Sequence, residues 1–341
     1  MRRLPAAFLV PTLFLSCTSG EEEPTTRIAF IQDLSAPDAD EHLQPAFQAA
    51  ELAVAMQAPG GGPVELVPFD LAEDPAAIEH IASDPSFVAA IAGPGADGAA
   101  VAEAGVPTVA VSTAGPTPGR GSWRRFVAQM DVLADVLAAE LAGTAPCILS
   151  EEPSPDELAG ILADRLDVPA ATLETDEVPS SVGPNACDAV AWVGSPDPGA
   201  ELAGVLPGET TFVGGDRLLD PDFLDAGSAA DGARAVCACA DVWTSTDPGT
   251  MRFIQDYQSE FGTAPGPYAV ESWDAARAIL ALLVHGSGRA DVAAALGGLE
   301  AFDGLVTAYR FAPNGELTDP MGSVAVSEVR LGRWVRVEPA G

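Results

Sequence analysis

Ile28-Ala29-Phe30-Ile31 begins an alternation of apolar runs and amphipathic stretches that continues through most of the chain. Short apolar runs of this kind are typical of strands buried on both faces of a sheet. Residues 43–54 then carry apolar side chains at helical spacing, and residues 64–69 form the next apolar run. This order predicts right-handed crossovers between parallel strands, with helices covering the sheet.

The same alternation predicts a first α/β unit that ends at the breaker cluster Gly115–Gly119 and a second unit after it. In the first unit we expect helices at 74–82 and 98–104 and strands at 87–92 and 108–112. In the second we expect helices at 130–143, 155–166 and near 199–205, and strands at 147–150, 170–174, 189–193, 211–213 and 234–240. A second break at Thr244–Gly249 precedes three helices, about 250–261, 268–285 and 289–299, and extended segments at 305–311, 323–329 and 333–337.

The N-terminus has the pattern of a secretory leader. Arg2 and Arg3 precede a short apolar stretch, and Phe14-Leu15-Ser16-Cys17 follows it. These four residues resemble a bacterial lipoprotein box, so 1–17 is predicted to be a lipoprotein signal peptide, with Cys17 lipidated. Residues 18–26 would then be an acidic tether, and Thr18 lacks the aspartate that retains Gram-negative lipoproteins in the inner membrane. A plain signal peptide cut nearby is the alternative, and either one predicts a location in the cell envelope, facing the periplasm or the exterior.

Composition argues against one class of partner and bounds the size of the fold. Acidic residues outnumber basic ones by 50 to 16, which gives a net charge of −34, and the chain contains no lysine. Such a field repels phosphate backbones, which argues against nucleic acid as a partner. Apolar residues make up 48% of the chain, enough for a large core. Length predicts two domains rather than one.

The cysteines after the leader favour disulfides in an oxidising compartment. Cys147 opens one apolar strand and Cys187 precedes another, so we expect these two to pair. Cys237 and Cys239 alternate along one strand and could bond each other or remain thiols. The alternative is that all four are small buried residues. The chain's histidines are His42, His80 and His285, and no metal or cofactor motif is visible around them.

An ordered set of short motifs extends over nearly everything after residue 26. It comprises Ile28–Asp33, Ala50–Val54, Val64–Asp70, Asp74-Pro75, Ile91–Pro94, Ala104–Pro107, Gly214–Asp216, Gly266–Ala269, Ser272–Ala275, Phe302–Gly304, Tyr309–Phe311 and Asn314-Gly315. The chain thereby resembles the extracytoplasmic solute-binding proteins of branched-chain amino acid and amide ABC transporters, the leucine/isoleucine/valine-binding type.

The resemblance implies an α/β protein of two Rossmann-like lobes with parallel sheets, joined by a three-crossing hinge. It would place lobe one at about 27–119 and 249–318, and lobe two at about 120–248 and 319–341. Such a protein captures a small ligand between its lobes, delivers it to an ABC permease, works as a monomer and carries out no chemistry.

The resemblance also suggests ligand-binding residues. In lobe one, Asp97 stands where relatives place a hydroxyl residue that binds the ligand carboxylate, and a helix cap is the alternative role for it. Ser112 and Thr113 match a run that holds an amino acid, with an ordinary loop as the alternative. Asp216 matches the acid that neutralises a ligand ammonium, unless it caps the residues after it.

Lobe two lacks two aromatic residues that relatives use. The matching places are Glu151–Pro155 and Ser195-Pro196. Trp192 and Trp243 could supply an aromatic surface, although packing in the core or hinge is the simpler role. A cleft with Asp97 and Asp216 would suit a cation or polyol better than a plain zwitterion.

Two other functions stay open at this point. The same fold with a decayed pocket could be an envelope lipoprotein that contacts a partner or acts as a sensor. A hydrolase is disfavoured: Ser150, Asp156 and His285 are present, but no Gly-x-Ser-x-Gly, paired-acid or His-Glu-x-x-His motif accompanies them.

Overall fold

The computed structural model describes residues 25–33, 39–56, 63–119, 121–151, 157–173, 187–242, 245–283 and 288–340, with side chains from 43 onward in the first helix. Among these residues no helix is both long and apolar enough to cross a membrane. The predicted signal peptide, Cys17, Trp243, Asp156 and His285 lie outside the described residues.

The first sheet is wholly parallel and has the order β2-β1-β3-β4-β5. Its strands are β1 (Thr26–Gln32), β2 (Val64–Asp70), β3 (Phe87–Ala92), β4 (Thr108–Ala110) and β5 (Trp123–Arg125), and the helices between them are α1 (Ala39–Ala55), α2 (Ala77–Ser83) and α3 (Gly98–Glu103). Strand β3 is buried along its whole length, as its unbroken apolar sequence predicts for a strand covered on both faces.

Strand β5 was not predicted from the sequence. It pairs with β4 in the first sheet, although the division at residue 119 assigned it to the second lobe. Its sequence Trp-Arg-Arg gave no strand signal, because two of its three residues are charged. All three are nevertheless buried, and both arginines are satisfied by hydrogen bonds to backbone carbonyls.

The second sheet has the order β14-β13-β10-β9-β8-β6-β7. Its first part contains α4 (Met130–Glu140), β6 (Pro146–Glu151), α5 (Glu157–Leu166), β7 (Ala170–Leu173), β8 (Ala189–Val193), α6 (Pro196–Val205), β9 (Thr211–Gly214) and β10 (Arg234–Cys237). These strands run parallel to one another. Two 3-10 segments, Asp216–Leu219 and Pro221–Ala229, separate β9 from β10 and were not predicted.

The remaining elements return first to one sheet and then to the other. They are α7 (Pro248–Phe261), α8 (Ala269–Leu282), α9 (Arg289–Gly297), β11 (Ala301–Asp303), β12 (Ala308–Arg310), β13 (Ala325–Val329) and β14 (Trp334–Val337). Helix α8 packs against α1, and α9 packs against β3 and β5, whereas β13 pairs antiparallel with β10 of the second sheet. The predicted extended segment 305–311 is part of a small hairpin of β11 and β12.

The chain therefore passes between the two sheet regions three times, after β5, after β10 and after β12. Both predicted cysteine pairs are disulfide-bonded: Cys147 with Cys187, and Cys237 with Cys239. The exact division into lobes stays a prediction.

Candidate functional site

A cavity of about 190 Å³ lies where the carboxyl ends of strands from both sheets meet. Residues in the loops just after strands form much of its wall: Asp33 comes directly after β1, Thr113 lies in the loop after β4, and Asp216 and Arg217 lie in the segment after β9. The other lining residues are Leu43, Pro94, Gly95, Met130, Leu133, Leu158, Val193, Gly194, Gly215 and Tyr268. Ligands of open α/β sheets bind at this edge, because loops and helix N-termini converge there.

Thr113 and Asp216, two of the four predicted ligand-binding residues, line this cavity. The Thr113 carbonyl accepts a hydrogen bond from the backbone N–H of Met130, at 3.1 Å, which ties the loop to the first turn of α4. Its hydroxyl has no hydrogen-bond partner among the described residues. Thr113 therefore offers one donor and acceptor to the cavity.

Asp97 and Ser112 do not line the cavity. The Asp97 carboxylate caps α3 by accepting from the backbone N–H groups of Ala99 and Ala100, at 3.0 and 3.4 Å. Ser112 is fully buried, and its hydroxyl accepts from the N–H of Ala114 at 3.1 Å. Asp97 is thus a helix cap and Ser112 part of an ordinary loop, the alternative roles considered for them in the sequence analysis.

Gly115 shows how closely these two loops approach. Its φ is 77°, and a Cβ there would lie 2.6 Å from Oδ1 of Asp97. Only glycine combines this left-handed backbone with so short an approach.

Tyr268 supplies an aromatic residue that the sequence analysis did not assign to the site. It stands at the N-terminus of α8, is 2% exposed, and has a left-handed backbone with φ 62°, which non-glycine residues rarely adopt. Burial raises the pKa of its phenol well above the ordinary value. The nearby Asp216 carboxylate, to which the phenol hydrogen-bonds, raises that pKa further. The phenol thus remains a neutral donor to Asp216.

Arg217 is the second residue that the sequence analysis missed. Its Nη2 donates to the Ser195 hydroxyl at 2.7 Å, and that hydroxyl donates to Oε2 of Glu151 at 2.5 Å. The Ser195 backbone N–H donates to the same carboxylate oxygen at 2.9 Å. Glu151 is the last residue of β6, and Ser195 comes two residues after β8. The places where the resemblance implies aromatic residues therefore hold hydrogen-bonded polar side chains that position Arg217.

The cavity combines opposite charges with an apolar wall. Asp33 and Asp216 bring two carboxylates, and Arg217 brings one guanidinium. The suggestion of a cation or polyol ligand depended on Asp97 beside Asp216, and Asp97 is used as a helix cap. The Arg217 guanidinium, which lines the cavity together with Asp216, favours a ligand that carries a negative group as well as a positive or neutral polar one.

Trp192 belongs to the core and not to the cavity. It is 2% exposed, and its indole N–H donates to the Ser195 carbonyl at 2.9 Å. Ser150, considered for hydrolysis, is fully buried.

Solved structures show what this architecture is similar to. The isoleucine complex of the branched-chain amino acid transporter substrate-binding protein LivJ from Streptococcus pneumoniae superposes with a TM-score of 0.70 at 17% identity, over 92% of this chain and 100% of that one. A possible leucine/isoleucine/valine-binding protein from Rhodopirellula baltica gives 0.74 at 14% identity, over 93% and 97% of the two chains. The chain has the type I periplasmic-binding-protein fold.

Further comparisons agree with this fold. An ABC transporter solute-binding protein from R. palustris, in complex with benzoate, has a TM-score of 0.69 at 16% identity and covers 93% of this chain and 96% of that one. Residues 198–330 match the model of a family described as periplasmic binding protein. No curated protein matches the chain. The predicted fold class, an α/β protein of the type I periplasmic-binding kind, is confirmed. The second sheet is mixed rather than wholly parallel, because β13 pairs antiparallel with β10 and β14.

Proposed function

We propose that the protein is an extracytoplasmic, lipid-anchored solute-binding protein that captures a small polar ligand for an ABC transporter. The ligand is an amino acid, an amide or a related compound, and it binds in the cavity between the two sheets. Cys17 is the proposed lipid anchor and the ABC permease the proposed partner. The protein is proposed to act as a monomer and to bind its ligand without chemical change.

The observation that carries this proposal is the cavity with residues from both sheets in its wall. Its volume of about 190 Å³ suits a ligand smaller than the drug-sized compounds that fill roughly 300–1,000 Å³ sites. Two of the similar structures named above were solved with a ligand, isoleucine in one and benzoate in the other, and both ligands are small.

Three polar residues of the cavity have proposed roles. Asp216, held by Tyr268, would bind a ligand ammonium or amide N–H. Arg217, held by Ser195, would bind a carboxylate or carbonyl, and the Thr113 hydroxyl would complete the polar contacts. The apolar side chains Leu133, Leu158 and Val193 would then contact the body of the ligand.

A thermal-shift screen of amino acids, amides and polyamines tests the proposal. A ligand that binds only the folded protein raises the melting temperature, by the equivalent of about 2.7 kcal/mol at 100 times its Kd. We expect a hit among the amino acids or amides, and at least tenfold weaker binding by Asp216→Asn.

Asp225→Asn is the matched control for this screen. Asp225 is exposed on the neighbouring 3-10 segment, lies outside the cavity, and loses the same charge. Its ligand affinity should equal that of the unmodified protein. If no compound stabilises the protein, the capture of a solute is ruled out in favour of an envelope interaction role.

A further inference from the structure

A second cavity, of about 440 Å³, lies beside the connection from β10 to α7, and we call it the side groove. One wall is a face of the β13–β14 hairpin. Ser327 pairs with Arg336 and Val329 with Trp334, so Ser327, Trp334 and Arg336 share that face. Loop 265–267 and residues 239–242 also line the side groove. It shares no lining residue with the cavity that contains Asp216.

The side groove contains two arginines that form no ion pair with any described residue. Arg333 and Arg336 line it, and neither has a hydrogen-bond or ion-pair partner among the described residues. Every other described arginine donates to a carboxylate, a hydroxyl or a backbone carbonyl. On the same hairpin, Arg330 donates to Glu328 at 2.7 Å.

The contrast is informative because of the composition. Acidic residues outnumber arginines by 50 to 16, so an arginine in this chain readily finds a carboxylate nearby. Two guanidinium groups without such a partner line the same groove and are available to an anion from outside. Among the described residues that line the groove, Asp241 is the one carboxylate, so the guanidinium groups outnumber it.

The rest of the lining is largely apolar. Leu219, Val242, Pro265, Pro267 and Val335 contribute to it. The indole of Trp334 is partly exposed and stacks on Phe223, with 5.6 Å between the ring centroids. This combination suits a ligand with an apolar or aromatic body and one anionic group.

We propose that the side groove is a second binding site, which takes a small organic carboxylate with an aromatic or apolar body. Arg333 and Arg336 bind the carboxylate, and the apolar wall with Trp334 contacts the body. The site does not depend on the ligand cavity at Asp216.

Calorimetric titration with phenylacetate and indole-3-acetate tests this proposal, with phenylacetamide as the neutral isostere of phenylacetate. We expect the carboxylates to bind at least tenfold more tightly than the amide, and more weakly as salt rises. The double variant Arg333→Gln/Arg336→Gln should lose at least tenfold in carboxylate affinity. Both side chains are exposed, so this variant should melt at the same temperature as the parent.

Two controls locate the binding. Arg330→Gln removes the same charge from the same hairpin outside the groove and should leave the affinity unchanged. Asp216→Asn alters only the ligand cavity and should also leave it unchanged, which separates this site from the proposed solute site. The proposal is overturned if neither carboxylate binds, if the arginine double variant binds normally, or if Asp216→Asn removes the binding.

Discussion

Arg125 joins loops that lie far apart in the sequence. Its side chain is fully buried and donates to the carbonyls of Ser112, Ala114 and Gly115, at 2.7, 3.0 and 2.9 Å. Its Nε lies 3.0 Å from Oε2 of Glu316. The planar guanidinium reaches these groups at once, as a lysine ammonium could not. The loop that carries Thr113 into the cavity is therefore held by a residue outside the cavity.

We predict that Arg125→Met destabilises the protein by about 3–5 kcal/mol, because it leaves the largely buried carboxylate of Glu316 and three carbonyls without this donor. Arg252→Gln is the control, since Arg252 is 75% exposed and pairs with Asp256 on the surface. It should cost less than about 1 kcal/mol. Denaturant unfolding measures both variants, and equal losses would contradict this account of Arg125.

Two acids on α8 are buried. Glu271 accepts from the backbone N–H of Ala240, at 2.6 Å, in the connection from β10 to α7. Burial raises its pKa to about 8. Asp274 accepts from the Leu305 N–H and the Tyr309 hydroxyl, and burial raises its pKa to about 6. Both pKa values lie above those of the unfolded chain, so the folded state binds these protons more tightly.

The free energy of unfolding should therefore fall as the pH rises from the unfolded-state pKa of each acid to its folded-state pKa. For Asp274 the loss runs from about pH 4 to 6, and for Glu271 from about pH 4.5 to 8, since ionisation is easier in the unfolded chain. We predict that Glu271→Gln removes most of the fall in melting temperature between pH 6 and 8.5. Melting curves across this range measure it, with Glu260→Gln on the exposed part of α7 as the control. A variant with the same pH profile as the parent would contradict the buried-acid explanation.

The two disulfides should contribute very different amounts to the free energy of unfolding, because they close loops of different length. Cys147 and Cys187 are 40 residues apart, whereas Cys237 and Cys239 are two apart. A cross-link stabilises mainly by restricting the unfolded chain, and more so for a longer loop. The long loop includes β7 and leads directly into β8.

We predict that Cys147→Ala/Cys187→Ala lowers the free energy of unfolding by about 4 kcal/mol at 25 °C. Cys237→Ala/Cys239→Ala, which also removes two sulfur atoms, should lower it by much less. Denaturant unfolding of both pairs under oxidising conditions gives the comparison. A larger loss for the short pair would refute the loop-length argument.

The alternation of strands and helices was recognised from sequence because buried parallel strands are unbroken apolar runs. β3 and β8 were predicted with the bounds that they have. Strand β5 and the two 3-10 segments were missed for different reasons. Two of the three residues of β5 are charged, so its sequence does not resemble an apolar buried strand. The apolar residues of 216–229 do not recur with the spacing of a helix or a strand.

The site was harder to predict than the fold. Asp216 and Thr113 were suggested by the resemblance to solute-binding proteins. Asp33 was not suggested, although its place directly after β1 was a usable signal. Arg217 and Tyr268 depend on tertiary contacts: the first on Ser195 and Glu151, the second on a left-handed backbone before α8. No local pattern encodes such contacts.

At the scale of the whole molecule, the two sheets bring the carboxyl ends of their strands to one cavity. Each sheet supplies part of its polar lining, with Asp33 and Thr113 from the first and Asp216 and Arg217 from the second. A ligand that contacts both sets of residues connects the two sheet regions. The proposed capture of a solute depends on this arrangement.

A crystal structure of the protein with the best ligand from the thermal-shift screen tests this arrangement most directly. The account predicts electron density for one ligand between Thr113 and Asp216, with its anionic or carbonyl group at Arg217. Density only outside this cavity, or a cavity filled by the protein's own side chains, would contradict it.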